Sequence, residues 1–187
     1  MRDREIKRYF LIILAIFLLS VINGYFVAEQ NPELARQTVE QTKSEFGFIK
    51  DLKPFLIFLF IFFNNSIKAF LVIIGGVLFG VIPLVFMLVN GEIFGVIMNL
   101  AVKQEGWLTV ILGLAPHGIF EIPAIVLVSS CGLWIGHKFY RKIRHNEPLG
   151  EAVRQSFRIY IRIVIPALLI AALIETYITP VIMQAME

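Results

Sequence analysis

Cysteine occurs once in these 187 residues, at Cys131. That excludes an intrachain disulfide and any metal site built from several thiolates. Cys131 lies in an apolar run and is expected to pack as a small buried residue. Charge is scarce too: 17% of residues are Asp, Glu, Lys or Arg, against 58% apolar. Soluble domains carry more charge than this. The net charge of +3 comes with no basic and aromatic stripe outside the membrane-flanking segments, so nucleic-acid binding has no basis. There is no HExxH helix, no phosphate-cradling loop, and no Ser or Thr with a histidine obviously beside it, so the usual hydrolase and nucleotide signatures are absent.

Long apolar runs dominate instead, and they place the chain in the polytopic membrane class. The fold expected is an all-α transmembrane helix bundle forming one integral membrane domain, residues 1–187. Its spans fall at about 9–27, 54–78, 80–101, 107–136 and 160–182. The first follows MRDREIKR and reads as an uncleaved span, with Tyr9 and Tyr25 placed as interfacial aromatics. The outer polar segment 29–53 is nearly neutral and is expected to hold a surface helix, with Asn31 as cap and Pro32 in the first turn. Leu34, Val39, Phe46 and Ile49 interrupt its charges.

The middle of the chain admits two divisions. The apolar runs 54–63 and 93–102 are too short to cross about 30 Å of hydrocarbon at about 1.5 Å per residue. Either they extend into full spans or they are re-entrant. Eleven of the 17 basic residues lie at the N-terminus (Arg2, Arg4, Lys7, Arg8) or at Lys138, Arg141, Lys142, Arg144, Arg154, Arg158 and Arg162. Both segments are thereby expected in the cytoplasm, which requires an even number of crossings between them and favours the extended spans. The basic loop 137–159 is then cytoplasmic, with a helix from near Pro148 into the last span, and the C-terminus extracytoplasmic.

This division leaves Asn64, Asn65, Lys68, Asn90, Glu92 and Asn99 within or at the edges of spans, facing protein or water. Lys68 and Glu92 lie about twelve residues either side of Gly80, so a helical hairpin there would bring them level as an ion pair. The other option leaves Lys68 snorkelling and Glu92 in water. Ser20/Gly24, Gly76/Gly80, Gly91/Gly95 and Gly132/Gly136 are small-residue pairs that let helices approach closely. They are compatible with a homodimer of twofold symmetry.

The segment 107–136 holds His117 and Glu121 at a spacing of four, on one helix face, between Pro116 and Pro123, with Gly118 between them. Ionisable groups at this depth are a functional hypothesis by default. The pair can relay a proton, bind a cation, or lock helices together. A zinc hydrolase needs a third ligand, Glu92 or Glu175, and no metal or cofactor is expected.

PHGIFEIPA at 116–124 and AALIETYITP at 171–180, with Asn64, Asn65 and the Asn90-Gly91 and Gly95 positions, resemble the stage II sporulation protein M family. His117, Gly118, Glu121, Pro123, Glu175, Thr179 and Pro180 match its motif positions. The resemblance implies a five-span membrane protein with a cytoplasmic N-terminus. It also implies a role, in endospore formers, of holding peptidoglycan-degrading partners in a membrane complex without being a hydrolase. The expected function is a non-enzymatic membrane scaffold with membrane or extracytoplasmic protein partners and contact with lipid. An ion- or proton-coupled transporter using the His/Glu cluster is the alternative.

Overall fold

The computed structural model describes residues 2–45, 47–48 and 52–185, and the side chains of Arg2, Asp3, Arg4, Thr42, Lys43 and Glu45 are outside that description. Phe46 and Ile49 of the outer segment also lie outside it. Among the described residues seven α-helices follow in order: α1 (Arg2–Gln30), α2 (Pro32–Glu45), α3 (Pro54–Gly75), α4 (Val81–His145), α5 (Gly150–Ile159), α6 (Ile165–Leu173) and α7 (Thr179–Gln184). No strand occurs among the described residues. The protein is therefore an all-α bundle. Four helical stretches are long and apolar enough to cross a membrane: Glu5–Gln30, Pro54–Gly75, Val81–His145 and Gly150–Gln184.

At 65 residues, α4 is too long for one crossing. It breaks at Gly106, whose φ of 82° and ψ of 166° leave the helix. Only glycine takes that conformation at low cost. The result is two arms, residues 81–105 and 107–145, each longer than the roughly 20 residues a crossing needs. Pro116 and Pro123 do not break the second arm; its dihedral angles stay helical through both. The short runs 54–63 and 93–102 thus belong to full-length helices, α3 and the first arm of α4.

The last three helices form one rod, Gly150–Gln184, interrupted by π-helical turns at Tyr160–Val164 and Ile174–Ile178. Each turn precedes a proline, Pro166 or Pro180. A proline has no N–H and its ring crowds the carbonyl four residues back. The chain answers with i→i−5 bonds, from Ile165 N to Tyr160 O and from Thr179 N to Ile174 O. Such bulges are frequent at functional sites.

Two glycine seams hold the bundle. At the first, Gly91 packs on Ser20 and Phe17, Gly95 on the Val21 carbonyl, and Gly24 on the Glu92 carbonyl, joining α1 to the first arm of α4. At the second, Gly76 meets the Gly132 carbonyl and Gly136 meets Gly80, joining the end of α3 and its turn to the second arm. The four small-residue pairs of the sequence therefore pair with one another, two by two. Along the second seam, α3 and the second arm run parallel with a constant separation of 56 residues, which also relates Asn65 to Glu121. The turn at 76–80 is tight, with Phe79 at φ 55° and Gly80 at φ 78°.

Contacts at the two ends fix the order of the elements. Glu5 receives Trp134 Nε1 (3.1 Å) and pairs with Lys138 (3.4 Å), Tyr9 lies against His137, and Phe79 against Phe139. The start of α1, the 76–80 turn and the beginning of the basic loop thus share one end. At the other, Tyr25 stacks on Trp107 with ring centroids 6.3 Å apart. There α2 is seated through Ala35, buried with Ala28 and Val96. Asn31 precedes α2, but its side-chain amide reaches back towards the Val27 carbonyl (3.5 Å) and forms no side-chain cap. Cys131 is fully buried in the core with Val128, Ile135 and Leu168. Arg154, Arg158 and Arg162 are exposed along the rod.

Two residues past the apolar run 9–27, at the polar end of α1, the Lys103 ammonium (2.8 Å) and the Asn99 amide (2.9 Å) hold the Glu29 carboxyl below its ordinary range. Because the folded value is the lower one, this contact stabilises at neutral pH. Its contribution disappears as pH falls through the ordinary carboxylate range to the lowered value. Thermal unfolding in detergent between about pH 7 and pH 3 should show a steeper acid loss for the parent than for Glu29→Gln. Equal slopes count against the linkage.

A Cβ on Gly76 would stand 2.3 Å from the Gly132 carbonyl oxygen, whereas one on Gly150 meets nothing within 4 Å. Gly76→Ala should cost about 1–3 kcal/mol through overpacking, read as a lower denaturation midpoint in micelles. Gly150→Ala should leave the midpoint unchanged.

Candidate functional site

His117 and Glu121 occupy adjacent turns of the second arm of α4, and the π-turn Ile174–Ile178 of the rod brings Glu175 to them. One ligand-type atom from each of the three lies within 4.8 Å of the others. All three are half-buried. His117 Nδ1 is buried and has no hydrogen-bond partner, and neither do the buried hydroxyls of Thr176 and Thr179 on the neighbouring stretch of the rod. From Gly106, His117 is about 17 Å into the arm on helical rise.

Helix α3 completes the cluster. Asn65 Nδ2 donates to Glu121 Oε1 (3.0 Å), and Asn64 Nδ2 donates to Asn65 Oδ1 (3.4 Å). The adjoining Ser66 carbonyl accepts from Tyr160 Oη (2.9 Å), which ties α3 to the first π-turn of the rod. The charge on Lys68 also acts on Glu121. A cavity of about 400 Å³ opens on the site, lined by His117, Gly118, Glu121, Glu175, Asn90 and Phe94 among others. An adjoining apolar groove of about 490 Å³ shares Phe94, Leu114, Gly118 and Ile122 with it and extends to Trp107. Gly118 is thus a cavity wall and not a helix contact: a Cβ there would meet only Ile122, at an ordinary 3.6 Å.

The other candidates lie elsewhere. Asn90 also lines the cavity, but its amide donates to the Phe86 carbonyl of its own helix (2.7 Å). Glu92 turns to α1 and accepts a hydrogen bond from Asn23. The expected Lys68–Glu92 pairing is therefore corrected. The first arm of α4 packs its glycines against α1, which carries Glu92 to that face, while the charge of Lys68 acts on Glu121. Asn23 and Tyr160 are functional positions with little signal in the sequence. The only signal at Asn23 is a polar residue in an apolar run beside Gly24; at Tyr160 it is a hydroxyl six residues before a proline.

Stage II sporulation protein M is the family whose description matches residues 13–180 of this chain. The chain belongs to the stage II sporulation protein M family. Both motif regions and all three residues of the cluster fall inside the match. Uncharacterized protein MJ0793 of Methanocaldococcus jannaschii is 33% identical over 120 residues, covering 63% of this chain and 67% of that protein. No solved structure matches the chain.

For this family member, the coupling between Asn65 and Glu121 is measurable by a double-mutant cycle. Asn65→Ala should destabilise by about 1–3 kcal/mol, because it strips a partner from a carboxyl group held away from water. Combined with Glu121→Ala, the two losses should fall short of their sum by about 1 kcal/mol or more. Strict additivity in thermal or denaturant unfolding would remove the bond from the account.

Proposed function

We propose that this chain is a non-enzymatic assembly protein of the membrane that presents a polar docking surface to a partner within the bilayer. Asn23 and Glu92 carry this reading. They hydrogen-bond to one another, yet both are exposed on the outside of the bundle. Glu92 stands eleven residues, about 17 Å of helical rise, from both Val81 and Lys103. Lipid cannot satisfy a carboxylate at that depth, and such groups almost always face protein or a water-filled cavity. A partner helix covering Asn23 and Glu92 supplies the missing donors. In this reading the glycine seams and the Asn65–Glu121 bond hold the five spans rigid behind that surface. The N-terminus and basic loop face the cytoplasm, and α2 and the C-terminus lie outside.

A transporter is the second reading, and the cavity at His117, Glu121 and Glu175 favours it. There His117→Ala and Glu121→Gln would leave a folded protein with no flux in proteoliposomes. The scaffold reading has those variants affect stability or partner binding.

The docking surface is testable by cross-linking in native membranes. With Cys131→Ser as background, Asn23→Cys and a short bis-maleimide should yield a defined adduct. An adduct of twice the chain mass identifies a second copy as partner, and any other mass a different chain. Adding Glu92→Leu should reduce the adduct at least several-fold. Labelling no greater than at Phe63→Cys, an exposed apolar position of α3, would sink the reading.

A further inference from the structure

We propose that His117, Glu121 and Glu175 form a binding site for one divalent transition-metal ion of the zinc type, with a further coordination position open to the adjoining cavity. The donor set is one imidazole and two carboxylates. Imidazole favours zinc and its transition-metal neighbours over magnesium or calcium, which prefer all-oxygen shells. Three protein ligands with one position left open is the arrangement of reactive zinc sites, whereas structural sites are closed by four.

The geometry suits such an ion. Zinc bonds of about 2.0–2.2 Å to nitrogen and oxygen set tetrahedral ligand atoms roughly 3.4 Å apart. The three atoms already lie within 4.8 Å of one another, so rotamer adjustments of about 1 Å close the site. Asn65 holds Glu121 Oε1 and so fixes the orientation of that carboxylate while leaving its other oxygen for the ion. Outer partners of this kind normally orient metal-binding carboxylates and tune affinity. The π-turn before Pro180 carries Glu175 into place from a different helix, so a bound ion ties α4 to the rod.

Charge gives a second, independent reason. Two carboxylates this close, away from water, repel one another, and the cost is met only by a proton or a cation. Lys68 offsets part of the negative charge on Glu121, and a divalent ion neutralises the remainder. The buried Nδ1 of His117 has no partner among the protein groups. Asn90, the remaining polar group of the cavity lining, has its amide committed to Phe86. This inference stands apart from the docking surface, which uses Asn23 of α1 and Glu92 on the face of the first arm turned to α1.

The experiment uses full-length protein without a histidine tag, purified in mild detergent, stripped with chelator and titrated with Co²⁺ and Zn²⁺. Elemental analysis should give one ion per chain, and cobalt should show the intense visible bands of a four- or five-coordinate site. His117→Ala and Glu175→Gln should each weaken binding by about 100-fold or more, while Glu92→Gln, an intramembrane carboxylate outside the cluster, should retain full stoichiometry. Binding well below one ion per chain in the parent overturns the proposal, and that measurement needs no variant to fold. So does binding that His117→Ala and Glu175→Gln leave unchanged.

Discussion

Backbone meeting backbone at two glycine seams is the constraint on which this bundle depends. Among lipid tails the apolar surfaces of helices gain little by leaving solvent, so association rests on close packing and on hydrogen bonds between helices. Four small-residue pairs meet two by two, with carbonyl groups of one helix seated where a side chain would stand on the next. Everything polar inside the molecule is then placed by those contacts. Glu92 faces α1 because Gly91 and Gly95 on the same arm must, and Glu121 faces α3 because Gly132 and Gly136 do.

The polar groups divide into two sets with different surroundings. Asn64, Asn65, Glu121, His117 and Glu175 look inward, towards a cavity and one another. Asn23 and Glu92 look outward from the bundle. The inner set offers ligands and the outer one a contact surface, and the intact first arm of α4 stands between them. Family membership accounts for the presence of the motif residues; their division into an inner and an outer set follows from the packing.

Much of this was legible in the chain, and the reasons for the exceptions are physical. Run lengths and the distribution of Lys and Arg were enough to separate spans at 80–101 and 107–136, which lie on the two sides of the Gly106 break. Small-residue pairs could be recognised one at a time, but which pair meets which is a tertiary fact that no spacing encodes. The Lys68–Glu92 expectation treated helices as a flat hairpin with equal arms. Rotation about the helix axis, set by the glycines beside Glu92, gave that carboxylate to α1. Glu175 was visible as a buried acid, 54 residues beyond Glu121. Its approach depends on a π-turn, whose only trace in the sequence is the proline that follows.

Parallel alignment of α3 with the second arm of α4 sets a ruler within the chain. Asn65 and Glu121, Gly76 and Gly132, and Gly80 and Gly136 are all separated by the same 56 residues. The intervening polypeptide runs the length of the bundle and back, and returns in step. Adding or removing a single residue in the first arm or at the Gly106 break would be absorbed outside the ruled stretch only if the return helix slid as a whole. A slide of one residue turns a helix by about 100°, enough to unseat the second seam and remove Glu121 from Asn65 together. Length variation among relatives should therefore fall outside residues 65–136.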